Sequence, residues 1–509
     1  MMGANTGGRD NVVPLMKVSA VDAVSELRPV LPTLIDALAV SDALPPDLSA
    51  RSVPSRLQWA GGFLILAGVA TAFYYYPALT SRTLEFAFWF AFCLVIAWRF
   101  ALVVIGLGGR VMRRLRPQHH PFLPDDDLPI YTILVALRDE CAMMPQLARN
   151  LSALDWPLDR LDVILLVEAD DMPTRDAALA EPFPDGTRVM TVPAGRPLTK
   201  PRALNWGLAH AEGAFVAVYD AEDRPHPGQL REAAAAFNAS TDQLACVQAP
   251  LVSSNSSAGW IAAHWSLEYL VQFGLYVPAL SAMEHPILLG GTSNHFRRSA
   301  LVMLGGWDAW NVTEDADLGV RLARLGGQTG TIQLPTYEMA PDKYGVWLSQ
   351  RTRWIKGFMQ TWLVSMRAPF SLIAELGFTR WFSLQLTLGG TIASAFLYGP
   401  MSIRVMIGLL YPELGVEPIS FTLFLIGWVT GAFAEIIVPG RWSFSRLAAV
   451  LTRPFYWPLQ TVAAVLALYG LVVKPFFWAK TPHKPDSLQD VPTCQPGSPQ
   501  SDSSSFLPR

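Results

Sequence analysis

Two acidic clusters in this 509-residue chain have the composition to handle a nucleoside diphosphate: Glu168, Asp170 and Asp171, and then Asp220, Glu222 and Asp223. A diphosphate needs a divalent cation, and Mg2+ is typically held by one or two carboxylates together with phosphate oxygens. Mn2+ serves equally. Aspartate-rich turns also cap helices, so composition alone leaves both uses open. A third cluster, Thr313-Glu314-Asp315, follows Gly305-Gly306-Trp307 and opens a predicted helix from Asp315 to Leu325. Locally it is an N-cap with acids in the first turn. Chemically, a carboxylate within hydrogen-bond reach can take the proton of an attacking hydroxyl. Downstream, the pentad Gln350-Arg351-Thr352-Arg353-Trp354 offers Arg353 to offset charge on a departing diphosphate and Trp354 as a flat face for a sugar ring.

The elements that must position these residues are legible in the hydrophobic pattern. Short runs rich in Val, Ile and Leu, at Ile130 to Leu137, Leu161 to Val167, Arg188 to Val192 and Phe215 to Tyr219, read as buried strands. Met143 to Leu154 and Lys200 to Ala211 read as helices between them, which predicts a mainly parallel sheet. Ligands bind beyond the carboxyl ends of such strands. Both acidic clusters fall there. The pentad lies on a helix whose Trp347, Trp354, Ile355, Phe358, Trp362 and Met366 share roughly one face, with basic residues interspersed. A basic, tryptophan-rich helix next to an apolar segment normally lies at a membrane interface.

Composition agrees with a membrane protein that carries a sizeable soluble part: 51% of residues are hydrophobic and 16% charged. A net charge of -3 gives no basis for a nucleic-acid partner. Leu57 to Leu79 and Phe86 to Leu107 are long enough to span, Arg99 interrupting the second. Arg51 and Arg56 before the pair, and Arg110, Arg113, Arg114 and Arg116 after it, place both flanks in the cytoplasm. Further candidate spans are Trp381 to Tyr398, Phe421 to Pro439 and Phe455 to Val473. Three more crossings would put Lys480 and Lys484 outside, so one segment is expected to be interfacial or re-entrant, the one punctuated by Arg453, Pro454 and Pro458 being the candidate. The resulting division is an N-terminal cytoplasmic segment 1–56, two spans within 57–108, a sheet domain 125–345, the pentad helix 346–368, apolar helices 381–476 and a partly disordered cytoplasmic tail 477–509. Cys93, Cys141, Cys246 and Cys494 are too scattered to indicate a disulfide framework or a zinc site. His119-His120, without acids or cysteines at ligand spacing, read as juxtamembrane polar residues.

The order of the acidic clusters, Thr-Glu-Asp and Gln-x-x-Arg-Trp between apolar segments resembles the membrane-embedded family 2 glycosyltransferases related to cellulose, chitin and hyaluronan synthases. The resemblance runs from about Ile130 to Met366. It implies a GT-A nucleotide-sugar fold, α/β and Rossmann-like, on the cytoplasmic face of a bacterial inner membrane, with transmembrane helices that form a channel for a growing chain. Asp220-Ala221-Glu222 takes the place of the family's D-x-D, with either Glu222 or Asp223 as the second metal ligand for Mg2+ or Mn2+. By position Glu168 contacts the uridine, although Glu168-Ala169-Asp170-Asp171 departs from the usual D-D-G. Lys200, in Lys200-Pro201-Arg202-Ala203-Leu204-Asn205, pairs with phosphate. Asp315 is implied to be the catalytic base, with Glu314 beside it. Arg353 is implied to face the diphosphate, and Gln350 and Trp354 the acceptor. Gly291 and Thr292, within Gly290-Gly291-Thr292-Ser293-Asn294 before Arg297-Arg298, resemble the segment lining the acceptor end. Phe477-Trp478-Ala479-Lys480-Thr481-Pro482-His483 resembles a mobile gate over the nucleotide. The implied activity is inverting, metal-dependent transfer from a nucleotide sugar, UDP-glucose or UDP-N-acetylglucosamine being favoured, to a growing β-linked polysaccharide. The alternatives are single transfer to a lipid carrier or glycolipid, and a non-catalytic nucleotide-sugar-binding subunit of an export complex. An accessory export subunit is a further candidate partner.

Overall fold

The computed structural model describes residues 44–45, 47–115, 122–440 and 442–477. His119-His120, Arg116, Cys494 and everything from Trp478 onward, including Lys480 and Lys484, lie outside them. Ten strands follow in chain order: β1 (Tyr131–Leu137), β2 (Leu161–Glu168), β3 (Arg188–Val192), β4 (Phe215–Tyr219), β5 (Arg224–Pro225), β6 (Leu244–Gln248), β7 (Leu251–Ser253), β8 (Asn294–Arg297), β9 (Gln328–Thr331) and β10 (Thr336–Glu338). The main sheet has the order β3-β2-β1-β4-β8-β6-β9, and β5-β10-β7 form a small second sheet. β1 runs parallel to both β2 and β4, with Tyr131 opposite Leu161 and Phe215. β8 is antiparallel to β4 and β6. This is a mixed α/β arrangement.

The four strands read from the sequence are these first four, displaced by at most a residue at one end. β2 is buried at every position, as a central strand covered on both faces must be, and this is why it reads as a continuous apolar run. Alternate residues feed two cores. Leu134, Ile164, Leu166 and Val218 pack with Leu204 and Leu208 on one face, while Ile133, Val135, Val163 and Leu165 pack with Leu147, Leu230 and Phe237 on the other. β8 escaped the sequence reading because Asn294-His295-Phe296-Arg297 is polar. Its buried His295 instead makes hydrogen bonds, to Tyr131 Oη at 2.8 Å and to Gln229 Oε1 at 3.2 Å. Cys93 and Cys246 carry free thiols.

Among the described residues five helical runs are long and apolar enough to cross a membrane: Arg56–Tyr75, Pro77–Met112, Pro369–Leu410, Pro418–Ile437 and Phe444–Val473. None of the residues of the first is buried against protein. The last is one continuous 30-residue helix with Pro454 and Pro458 inside it. Near its start, Thr452 Oγ1 accepts a hydrogen bond from Trp260 Nε1 at 2.7 Å; just past its end, Lys356 Nζ donates to the carbonyls of Lys474 and Phe477 at 3.2 and 2.8 Å. Trp260 and Lys356 lie on helices Trp260–Val271 and Tyr344–Ser365, and between those two bonds Thr461 Oγ1 donates to the carbonyl of Ala395, within the run Pro369–Leu410, at 2.7 Å.

Candidate active site

The carboxyl ends of β2 and β4, the start of the Thr-Glu-Asp helix and the pentad helix line one cavity of about 950 Å3. Glu168, the last residue of β2, is buried and ion-paired with Arg202. Burial nonetheless raises its pKa above the ordinary glutamate value, against the lowering effect of Arg202. Its neighbours have other tasks. Asp171 caps helix Met172–Ala180, accepting the Thr174 N–H at 3.2 Å, and Asp170 makes an exposed pair with Arg138 at 3.2 Å.

After β4 the chain turns through Asp220 to Asp223. The Asp220 N–H donates to Asp223 Oδ2 at 2.6 Å, and the Thr292 hydroxyl donates to the same carboxylate. Asp223 is 1% exposed, and burial, then Asp220 and Glu222, push its pKa well up. Asp223 thus braces the turn, while Asp220 and Glu222 line the cavity. Lys200 opens helix Lys200–Ala209, and its ammonium bonds Asp220 and the Gly291 carbonyl, the latter at 2.7 Å. Burial works against that charge, but Asp220 and Glu314 more than offset it and raise the lysine's pKa. No three His, Cys, Asp or Glu side chains among the described residues gather in metal-holding geometry. Two hard carboxylates facing the cavity still fit Mg2+ or Mn2+, because a bound diphosphate would supply further oxygens.

Helix Glu314–Arg324 begins with acids in its first turn, but Thr313 makes no side-chain cap. Its entry is held from the pentad helix instead: Gln360 Oε1 accepts the Val312 N–H at 3.1 Å, Asn311 Nδ2 donates to Thr361 Oγ1 at 3.0 Å, and Arg353 Nη1 donates to the Val312 carbonyl at 3.3 Å. Gly357 is what lets the two segments approach, since a Cβ there would overlap the Thr313 side chain. Asp315 lines the cavity, with Oδ2 3.4 Å from where a Cβ on Gly291 would stand. Burial raises its pKa, against Lys200 and Arg353. Burial and then Asp315 push Glu314 up to about 7.

Gln350, Arg353 and Trp354 line the same cavity. Gln350 Oε1 is buried and has no hydrogen-bond partner among the described residues. Arg351, 5.0 Å over the Trp354 ring, is ion-paired with Glu268. The residues expected to share one face of this helix divide among clusters on several sides, Ile355 packing in one, Trp347 and Trp354 in another, Phe358 and Trp362 in a third. Protein surrounds much of the helix, including the buried Lys356 and Gln360. Gly291 and Thr292 also line the cavity, but Thr292 spends its hydroxyl on Asp223. Arg297 lies elsewhere, bonded to the carbonyls of Leu244 and Phe237 at 3.0 and 2.7 Å. Of the expected gate, Phe477 alone is described.

Three participants were not read from the sequence. Gln360 and Gly357 hold the Thr-Glu-Asp loop, and Glu338 at the end of β10 lines the cavity. Burial, then Asp223, Glu222 and Asp220, raise the Glu338 pKa well above the carboxylate range. The two-stranded pairings of the small sheet leave no hydrophobic run by which Glu338 would be noticed. Gly357 is signalled only by being a glycine inside a helical pattern.

The profile described as Glycosyl transferase family group 2 matches residues 215–477, and that of Glycosyl transferase family 2 matches residues 132–291. A beta-monoglucosyldiacylglycerol synthase of Trichormus variabilis is 25% identical over 408 residues, covering 78% of this chain and 82% of that protein. A putative cellulose synthase of Komagataeibacter xylinus is 26% identical over 313 residues, covering 58% of this chain and 20% of that protein. The mannosyltransferase PcManGT of Pyrobaculum calidifontis, solved with GDP-Man and Mn2+, has 19% identity and a TM-score of 0.45, covering 74% of this chain and 99% of that one.

Proposed function

This chain belongs to glycosyl transferase family group 2 and is a glycosyltransferase, and we propose that it moves one sugar from a nucleotide sugar, UDP-linked by preference, to a lipid acceptor in a bacterial inner membrane. The observation that carries this reading is the single cavity running from Asp220 and Glu222 past Asp315 to residues of the span-length helices, such as Trp98, Ser394 and Tyr398. An acceptor seated among those helices has its way to the carboxylate. The beta-monoglucosyldiacylglycerol synthase that matches along most of both chains supports a lipid acceptor.

In the proposed reaction Asp315 takes the proton of the acceptor hydroxyl as its oxygen bonds to the anomeric carbon. The bond from that carbon to the diphosphate oxygen breaks on the opposite side, so configuration inverts. The nucleoside diphosphate leaves with the electron pair. Arg353 and Lys200 offset the charge that develops there. Asp220 and Glu222 would hold a divalent cation, Mg2+ or Mn2+, which when bound supplies further neutralisation of the diphosphate. Gln350 Oε1 accepts from an acceptor hydroxyl, and Trp354 offers an apolar wall beside the sugar. The buried Arg202 partner makes Glu168 a fixed edge of the nucleotide site.

Elongation of a β-linked polysaccharide is the second reading, favoured by Gln350-x-x-Arg353-Trp354. The basic flanks of the first two spans support a cytoplasmic position for the catalytic domain. The test is to incubate membranes containing the protein with labelled UDP-glucose, UDP-N-acetylglucosamine or GDP-mannose, with Mg2+ or Mn2+. Label from one donor in the organic phase is the expected result. Label in a high-mass, water-soluble or insoluble polymer would replace the first reading with the second.

A further inference from the structure

The inner end of the cavity carries a charge that the chain itself does not balance. Arg99 sits between Trp98 and Phe100 in the apolar helix Pro77–Leu115, where an uncompensated guanidinium is costly. It donates to Ser394 Oγ at 3.1 Å and lies 5.9 Å over the Tyr398 ring. Among the described residues no carboxylate stands within ion-pair distance of it. The other arginines lining this part of the cavity are matched. Arg453 pairs with Glu435, and Arg351 pairs with Glu268, which also accepts from Gln460 at 2.7 Å. Three cations face two anions, and the remainder is Arg99. Arg453 Nε is in addition buried with no hydrogen-bond partner among the described residues.

We infer that this end of the cavity binds the phosphate of an anionic lipid, held by Arg99 with Arg453 beside it, and that this lipid is the acceptor. The inference rests on the lipid-transfer reading above and narrows its substrate class. Hydroxyls of a neutral glycan or a diacylglycerol can accept hydrogen bonds from a guanidinium, but they leave its charge unbalanced. A phosphate cancels the charge and accepts several N–H groups in the fork geometry of arginine. Acyl chains account for the site's placement among helices whose outward residues, such as Phe100 and Val104, are exposed and apolar.

The test reads binding without turnover. The full-length protein in detergent is offered phosphatidylglycerol and diacylglycerol with identical acyl chains, and retained lipid is measured by native mass spectrometry for wild type, Arg99→Gln and Arg99→Lys. UDP binding is measured on the same samples as the control for folding. Wild type should retain the anionic lipid at least tenfold over the neutral one, Arg99→Gln should lose the preference, and Arg99→Lys should keep most of it. Equal retention of the two lipids by wild type overturns the proposal, even if Arg99→Gln fails to fold. So does an unchanged preference in a folded Arg99→Gln. Glycerol 3-phosphate, with the anion but no acyl chains, should displace the lipid poorly; equal binding would mark a site for soluble phosphate esters and reject the lipid. Transfer to a neutral lipid without anionic preference would remove this inference and leave the glycosyltransferase reading standing, whereas loss of UDP binding in wild type would remove the latter.

Discussion

Glu314 and Asp315 are consecutive carboxyls, the first buried and the second half-buried at the cavity wall, and their charges repel, so the pair ionises fully only as pH passes about 7. If Asp315 is the base, the transfer rate should rise with pH as that carboxyl ionises, above its ordinary value because burial raises its pKa. Lys200→Gln removes a cation that lowers the Asp315 pKa and should move the rising limb of kcat/KM to higher pH; an unmoved limb would assign the titration to other groups. Stability has the opposite sign. Glu314 has its folded pKa raised above the unfolded value of about 4.3, so its favourable contribution is complete below that value and is lost as pH rises through about 7. At the other wall of the cavity, Asp220→Asn should weaken UDP binding in the presence of Mn2+ by about tenfold or more while changing metal-free binding little, as expected of a carboxylate that holds a cation. Calorimetry with and without EDTA separates the two, and equal losses in both would assign Asp220 to Lys200 alone. Residue types announced most of this wall: Asp220, Glu222, Lys200, Asp315, Gln350, Arg353 and Trp354 all meet at one cavity. Spacing left Glu222 and Asp223 undivided. The hydrogen bonds that turn Asp223 inward come from the backbone of Asp220, three residues back, and from Thr292, whose long-range contact has no local signal.

Helices and strands were legible to the extent that burial is periodic. β1 to β4 declare themselves as apolar runs, and helix Glu314–Arg324 begins one residue before its expected start. β8 and β10 do not, because their buried polar residues His295 and Thr336 are satisfied by partners far along the chain, and β9 is only half-buried at every position. The pentad helix was misread in a related way: its tryptophans suggested one membrane-facing stripe, but they contact different neighbours on different sides. Its closest approach to the Thr-Glu-Asp segment is at Gly357, so Gly357→Ala should force the two apart. A cost of about 1–3 kcal/mol is expected for an added methyl in a packed contact. The expected outcome is a lowered midpoint of thermal unfolding together with reduced transfer, as Asp315 shifts relative to Arg353. Wild-type values in both measurements would show that the contact yields without consequence.

Across the whole molecule, length and composition identified the apolar segments, and tertiary bonds decide how the last of them lies. Helix Phe444–Val473 is long enough to cross, yet Trp260 bonds it near one end and Lys356 holds the turn past the other. The proposal of four crossings, with this helix as the interfacial or re-entrant segment, would return Phe477 to the side of the sheet domain and agree with the charge rule at Lys480 and Lys484. A cysteine at Glu413, between the third and fourth spans, should therefore react with an impermeant maleimide from outside in a Cys93→Ser background, while a C-terminal tag should be cleaved by protease only after permeabilisation. A tag cleaved in intact cells would mean five crossings. The central claim, that one cavity brings a membrane acceptor to Asp315, is tested most directly by Asp315→Asn in the same membranes, with transfer into the lipid phase and UDP affinity measured together. Removal of a general base predicts a fall in transfer of about 100- to 10,000-fold with UDP affinity essentially unchanged. Transfer at the wild-type rate, or loss of UDP binding alongside it, would contradict the claim.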